Sequence, residues 1–425
     1  MSETGVFIPH HARRLNERAT QRSSFLSEAK IWWREIDRVL LILILVLMTI
    51  GTIAVAAASP ASARRLSTAS EQLPDLYFFY KHIAWQIVGV AVMIGASMLT
   101  LENARRAGLV LCVVMLFFLT LVPFIGSDVN GARRWIDIGM RFQPSEFLKP
   151  GFAIALAWIF SWRMRDPNLP VLATATALLG FVVFFIALQP NFGSAMLLGG
   201  IWFVMVLLSG LSVARLGSVV GGGIALITAT YFLYDNARHR IDSFLGGGTA
   251  FDQVDLAQRT LLAGGWTGTG FWLGLKKMNL PEAHTDYIFS VIGEEFGLLV
   301  CAVVVCLYLA IGLRILVRMI DEDNYFTMLA ATGLTTLLIG QAFINMLVNL
   351  RLFPSKGMTL PLVSYGGSST IAVCLAVGLL LAITRRNPFL KRRTAGLAQM
   401  LGMGEERREP KVEHRAGTYR QGGEA

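Results

Sequence analysis

Charge and cysteine are both scarce in this chain of 425 residues, and each shortage excludes something. Charged residues make up 16% of it, against 54% hydrophobic and a mean hydropathy of +0.56; so little charge excludes a single solvated globule. The four cysteines, Cys112, Cys301, Cys306 and Cys374, all fall inside long apolar runs. That excludes a disulfide framework or a zinc-ligand spacing and leaves them as small buried apolar side chains. Six scattered histidines form no HxxxH pattern. No internal repeat of the kind that builds many transporters is evident. The net charge of +10 sits largely in the two tails, where anionic cytoplasmic lipid suffices as a cause, so nucleic acid is not indicated.

What the chain does have is apolar runs long enough to cross the roughly 30 Å hydrocarbon layer as helices. We read about ten, near Val39–Ala58, Ile83–Leu101, Ala107–Ile125, Phe147–Trp162, Pro170–Leu188, Phe192–Leu208, Leu216–Tyr234, Tyr287–Val317, Phe326–Val348 and Ser368–Thr384. The expected fold is therefore all-α, a polytopic integral membrane protein spanning residues 37–388. Polar tails flank it at 1–36 and 389–425, expected to be flexible because they are charged and poor in aromatics. A cleaved leader ending in VAAASPASA is the less favoured reading, since about forty polar residues precede a span-length run.

Short loops carrying Arg105, Arg106, Arg163, Arg165, Arg314 and Arg318 share a side with the basic N-terminus and with the RRNPFLKRR segment. By the positive-inside rule that side, and both termini, are cytoplasmic. Nine cations fall on the opposite face: Arg64, Arg65, Arg133, Arg134, Arg141, Lys276, Lys277, Arg351 and Lys356. They fit either ordinary solvated loop charge or an anionic ligand at the outer surface. Seven spans also place residues 235–285 outside, as a large extracytoplasmic loop between helices 7 and 8. About fifty residues are too many for a mere connector. Its GGWTGTGFWLG stretch lacks the βαβ context of a nucleotide fingerprint. Trp266 and Trp272 there suit stacking on sugar rings or, more commonly, anchoring at the interface.

Where this loop enters the eighth span the chain reads PEAHTDYIFSVIGEEFG, with Asp286, Glu294 and Glu295 at a membrane boundary. Acids there are costly and usually mark function. The bland alternative is a helix start, with Thr285 or Asp286 as N-cap and the glutamates favouring the dipole. Helical spacing would put Ser290, Gly293 and Gly297 on the face of Asp286, leaving room for a helix or lipid, with Glu295 pointing away and Glu294 between.

NGARRWIDIG with QPSEFLKP (Asn130 to Pro150), QPNFGSA (Gln189 to Ala195), FDQVDLAQ with AGGWTGTG, LPEAHTDYIFSVIGEEFG, and NLRLFPSKGMTLPLVSYGGSS (Asn349 to Ser369) together resemble the SEDS family (shape, elongation, division and sporulation). The likeness runs from about Asp37 to Pro388. Ala283 before His284, Thr285 and Asp286, and the polar extensions, look more like the division branch than the elongation branch. The resemblance implies a ten-helix glycosyltransferase that polymerises lipid II on the outer face of the bacterial cytoplasmic membrane at the division septum. It also implies a class B penicillin-binding transpeptidase and other division membrane proteins as partners. Carried over, the family's essential acid is Asp286. Glu146 and Lys149 match its fourth span, Arg134 and Lys356 its outer-loop cations, and His284 and Thr285 flank the acid as further substrate-binding candidates. Asn191 stands where the family commonly has Asp.

The implied reaction inverts the anomeric centre, so one displacement and one base are enough. Asp286 is the expected base, with burial raising its pKa and a nearby Lys opposing the shift. Departing pyrophosphate needs charge stabilisation, for which Arg134, Lys149 and Lys356 are candidates, with a divalent metal, Mg²⁺ or Mn²⁺, as a further possibility. Glu146 and Lys149 fit equally well an i, i+3 ion pair that braces a cavity wall. A carrier of lipid-linked precursors and a non-catalytic division scaffold stay open as the other function classes.

Overall fold

The computed structural model describes residues 27, 29–68, 71–129, 132–137, 139, 141–164, 166, 168–189, 191–210, scattered residues from 217 to 242, 253–354 and 357–386. Ten α-helices are bounded among them: α1 Arg38–Leu66, α2 Tyr77–Ser97, α3 Leu101–Ile125, α4 Pro144–Ser161, α5 Val171–Ala187, α6 Phe192–Leu208, α7 Gln253–Ala263, α8 Ile288–Ile320, α9 Tyr325–Asn349 and α10 Gly367–Ile383. All but α7 correspond to expected spans. The expected seventh span, Leu216–Tyr234, falls mostly outside the described residues.

Several helices start where the sequence supplies a cap. Asp37, Thr100 and Asn324 accept from Leu40, Asn103 and Thr327 backbone N–H groups at 3.2, 3.3 and 3.2 Å, satisfying donors the first turn leaves unpaired. Asn191 does the same for α6, its Oδ1 accepting from Ser194 N at 3.3 Å. An amide oxygen thus does the capping here, so a carboxylate is not needed at that position for the helix to begin.

Small residues bring the helices together, as expected where lipid tails remove any hydrophobic drive between apolar surfaces. A Cβ at Gly108 of α3 would lie 2.4 Å from Ile154 of α4, and one at Gly378 of α10 would lie 2.5 Å from the Met93 carbonyl of α2. Helix α4 lies at the centre, with Leu148, Phe152, Ile154, Leu156 and Phe160 fully buried. At one end of the bundle, Arg314 and Arg318 of α8 both pair with Asp37 at the start of α1.

Two features depart from the sequence reading. The segment after α3 forms a small antiparallel sheet, β1 Ser127–Val129, β2 Ala132–Asp137 and β3 Arg141–Phe142, in that order, so the fold is helical with one short β insert. Helix α8 is also not one rod, because Gly297 sits at φ 84°, ψ 172°. The backbone breaks there to admit the loop 264–268, and a Cβ at Gly297 would stand 2.3 Å from the Trp266 carbonyl oxygen. Only glycine takes that conformation readily in so little space.

Candidate functional site at the start of helix α8

Asp286 lies in the turn before α8, at the end of that helix remote from Asp37. Tyr287 holds the cap position with no side-chain cap bond, so neither Thr285 nor Asp286 serves as the expected N-cap. The turn is held through its backbone instead. Asn345 Nδ2 donates to the Asp286 carbonyl at 2.7 Å and to the Met358 carbonyl at 2.7 Å, and Asn349 Nδ2 donates to Asp286 O at 3.2 Å. Asn349 Oδ1 accepts from Ser290 N and Oγ at 3.1 and 2.7 Å. These bonds engage the Asp286 backbone carbonyl and not its carboxyl.

That carboxyl is half-buried and closely surrounded. Desolvation pushes its pKa up to about 7; the Glu282 and Glu146 carboxylates add to the rise and the Arg134 guanidinium opposes it. An acid that titrates near neutrality suits proton abstraction at physiological pH.

Strand β2 aims Arg134 at the acid. Successive strand residues face opposite sides, so Arg133 points outward, exposed, while Arg134 shares the inner face with buried Ile136. Arg134 Nε donates to the Gln189 carbonyl at 2.9 Å, which fixes the guanidinium. Gly357 closes the other side: a Cβ built there would stand 3.4 Å from Asp286 Oδ2 and 3.9 Å from Arg134 Nη1. Lys356 lies outside the described residues.

Glu146 and Lys149 form the i, i+3 pair, at 2.6 Å, and Lys149 Nζ also donates to Gln341 Oε1 at 3.2 Å. Lys149 is 2% exposed. The cavity these residues line with Pro150, Leu337, Leu338 and Pro361 measures about 10 Å³, the threshold for a single water. The bracing role is therefore the one the geometry displays.

Thr285 Oγ1 donates to the Glu282 carboxylate at 2.8 Å, and its carbonyl accepts from Ser364 Oγ at 2.6 Å. Both contacts shape the turn. His284 is buried between the rings of Phe78 and Tyr365, at 4.2 and 5.2 Å between centroids. Burial first, then His82, push its pKa down to about 4, so it is neutral at pH 7, and its Nδ1 has no hydrogen-bond partner among the described residues.

The other two acids of the trio do different work. Glu294 accepts from the Lys276 and Lys277 backbone N–H groups, the latter at 2.8 Å. Glu295, expected to point away, turns to the same loop: it accepts from Trp272 N, from Gly274 N at 3.2 Å and from Lys277 Nζ. Both are 1% exposed. Lys277 Nζ continues to the Ala57 carbonyl at 2.8 Å, and Trp272 Nε1 donates to Ala56 O at 3.0 Å, so the loop is pinned to α1. The proposed small-residue face is real only in part: Gly293 admits α7, a Cβ there meeting Leu261 at 2.7 Å, whereas Gly297 breaks the helix.

Several of the nine outer cations likewise serve loops. Arg65 Nη1 donates to Asn279 O at 3.2 Å, Arg351 pairs with Asp255 at 3.1 Å and Arg64 approaches Asp75 at 3.6 Å. Sequence reasoning overlooked the amides of α9. Gln341, Asn345 and Asn349 recur at i, i+4 and i+8 in an otherwise apolar span, a spacing that puts them on one face, and polar groups inside a span are a standing functional signal. The expected metal has no protein cage: among the described residues no group of three or more His, Cys, Asp or Glu converges.

The model of the "Cell cycle protein" family, which joins the FtsW, RodA and SpoVE proteins, matches residues 37–388. A probable peptidoglycan glycosyltransferase FtsW from Caulobacter vibrioides is 32% identical over 361 residues, covering 84% of this chain and 91% of its own. Rod shape determining protein RodA of Thermus thermophilus superposes with a TM-score of 0.62 at 26% identity, over 83% of this chain and 97% of its own. A chain from a peptidoglycan synthase complex that coordinates polymerization and crosslinking gives 0.65 at 26% identity, over 82% and 97%. A match over the whole membrane region at this level carries one conclusion: the chain belongs to the SEDS family of cell cycle proteins.

Proposed function

We propose that this chain is a peptidoglycan glycosyltransferase that polymerises lipid II into glycan strands, with Asp286 as its general base. The observation that carries the proposal is the convergence at one point of a carboxyl titrating near 7 and the Arg134 guanidinium. The acceptor sugar's 4-hydroxyl oxygen attacks the anomeric carbon of the donor. As the new C–O bond forms, the bond to phosphate breaks and its electron pair leaves with undecaprenyl pyrophosphate, while the hydroxyl proton passes to Asp286. Inversion in a single displacement needs no second carboxylate nucleophile. The Arg134 guanidinium beside the acid supplies positive charge toward the reacting centre as the leaving group takes up negative charge, a contribution of about 10² to 10³ in rate in comparable sites.

A divalent cation would have to be held mainly by water and substrate phosphate, with Asp286 or Glu282 as its protein carboxylates; the displacement is written without it. The site opens on the extracytoplasmic face of the cytoplasmic membrane, a reading supported by the cation bias of the loops. The partner is a transpeptidase that crosslinks the new strands, as the relative in the synthase complex suggests, and the place of action is the division septum. The test is purified protein in detergent supplied with lipid II. Polymer from the wild type and none from Asp286→Asn supports the enzyme. Equal polymer from both refutes Asp286 as base, and lipid II redistributed across vesicles without polymer would instead identify a carrier.

A further inference from the structure

We infer that Gly357 marks the seat of the reacting oxygen: the acceptor hydroxyl occupies the space that a side chain at position 357 would take, between Asp286 Oδ2 and Arg134 Nη1. The inference rests on the glycosyltransferase reading above and adds to it where the acceptor sits and which residue shapes that seat.

Leaving aside its chain neighbours, the atoms that a Cβ at Gly357 would meet within 4 Å among the described residues are Asp286 Oδ2, at 3.4 Å, and Arg134 Nη1, at 3.9 Å. A side chain there would project between the base and the cation, across the approach by which an acceptor hydroxyl reaches the acid. The backbone does not call for glycine here, since Gly357 is absent from the positions with positive φ. Both distances are also ordinary van der Waals contacts, so the resting protein would accept a methyl group. What the methyl would displace is substrate.

The walls of this seat are fixed. Asn345 Nδ2 binds the Asp286 and Met358 carbonyls at 2.7 Å each, tying the acid's turn to the strand of chain that carries Gly357. Gln341 Nε2 donates to the Thr359 carbonyl at 3.0 Å. Farther along, Tyr365 N donates to His284 O at 2.9 Å and Ser364 Oγ to Thr285 O at 2.6 Å. The two sides are therefore sewn together and cannot part to accommodate a larger residue. The neighbouring cavity beside Lys149, at about 10 Å³, is too small for any sugar.

The experiment compares Gly357→Ala and Gly357→Val with wild type and Asp286→Asn in detergent, reading lipid II polymer and the thermal midpoint of each. The expected result is an alanine variant that melts with the wild type but loses on the order of 100-fold in kcat/KM, as misplacement of a reacting atom by about 1 Å costs, with valine lower still. Wild-type polymerisation by Gly357→Ala, with Asp286→Asn inactive, overturns the seat while sparing the base. Activity in Asp286→Asn removes the underlying reading instead. Should the alanine variant melt early, it and the wild type are assayed at a temperature where both stay folded: a loss on the order of 100-fold in kcat/KM there upholds the seat, and a wild-type value overturns it.

Discussion

Replacing Asp286 by Asn tests the site through stability as well as rate, because a base kept near neutrality by burial costs the fold something when it ionises. The carboxyl titrates at about 7 in the folded protein and ordinarily at 3.8, so the folded state binds its proton more tightly than the unfolded chain does. Below pH 3.8 both states hold the proton and no penalty arises. Stability is lost as pH rises from there through 7, and the whole penalty is present above that. At about 1.4 kcal/mol per pH unit, the gap sets an upper bound of roughly 4 kcal/mol, reduced because the half-buried carboxyl keeps some contact with water. Asp286→Asn removes the ionisation, so the variant's stability relative to wild type should grow from pH 5 to pH 8, while its polymerisation falls by about 10² to 10⁴. Thermal midpoints of the two proteins in the same detergent, paired at each pH, cancel every other titrating group. A stability difference that stays flat across this window would show that the acid is not held in a desolvated site, and the account of its basicity would fail.

The neighbours of Asp286 should move the acid limb of the pH–rate profile in opposite directions. Glu282→Gln removes a like charge and shifts the limb down in pH, whereas Arg134→Gln removes the opposing cation, shifts it up and also lowers kcat by about 10² to 10³; shifts in the same direction would refute the assignment. Asn345→Ala takes the side-chain donor from the Met358 carbonyl and leaves the Asp286 carbonyl with Asn349 alone, and should cost about 1–3 kcal/mol by thermal unfolding, with kcat falling more than KM rises. Lys277→Met strands the buried Glu295 carboxylate and should cost about 3–5 kcal/mol, exposing the 264–277 loop to limited proteolysis. Lys277→Met with Glu295→Gln should recover part of that loss, and no recovery would mean that the pair is not what pins the loop.

How much of the site was legible depended on whether a residue acts through type or through placement. Asp286 stood out because an ionisable group at a membrane boundary is rare and expensive, whereas Glu146 and Lys149 were picked out only by the family resemblance. Residue type alone does not separate Arg134 from the adjacent, chemically alike Arg133; the resemblance picked out Arg134, and β2 supplies the physical reason by turning it in and its neighbour out. The sheet itself was missed because its strands span 3, 6 and 2 residues, too short for alternation to register. The amide ladder of α9 was passed over because its members act on backbone carbonyls that no sequence pattern names.

The sequence by itself determined that the chain crosses a membrane repeatedly, where most of the helices begin, and which short stretches mark its family, because the thickness of the hydrocarbon layer and the cost of unpaired backbone groups leave helices as the economical solution. Only the tertiary structure decided how three neighbouring carboxylates are engaged. Glu294 and Glu295 are consumed by the N–H groups of a loop folded over them, whereas Asp286 is held by its backbone. That division depends on contacts between residues far apart in the chain, Lys277 with Ala57 and Asn345 with Asp286, and such contacts exist only once the helices have packed.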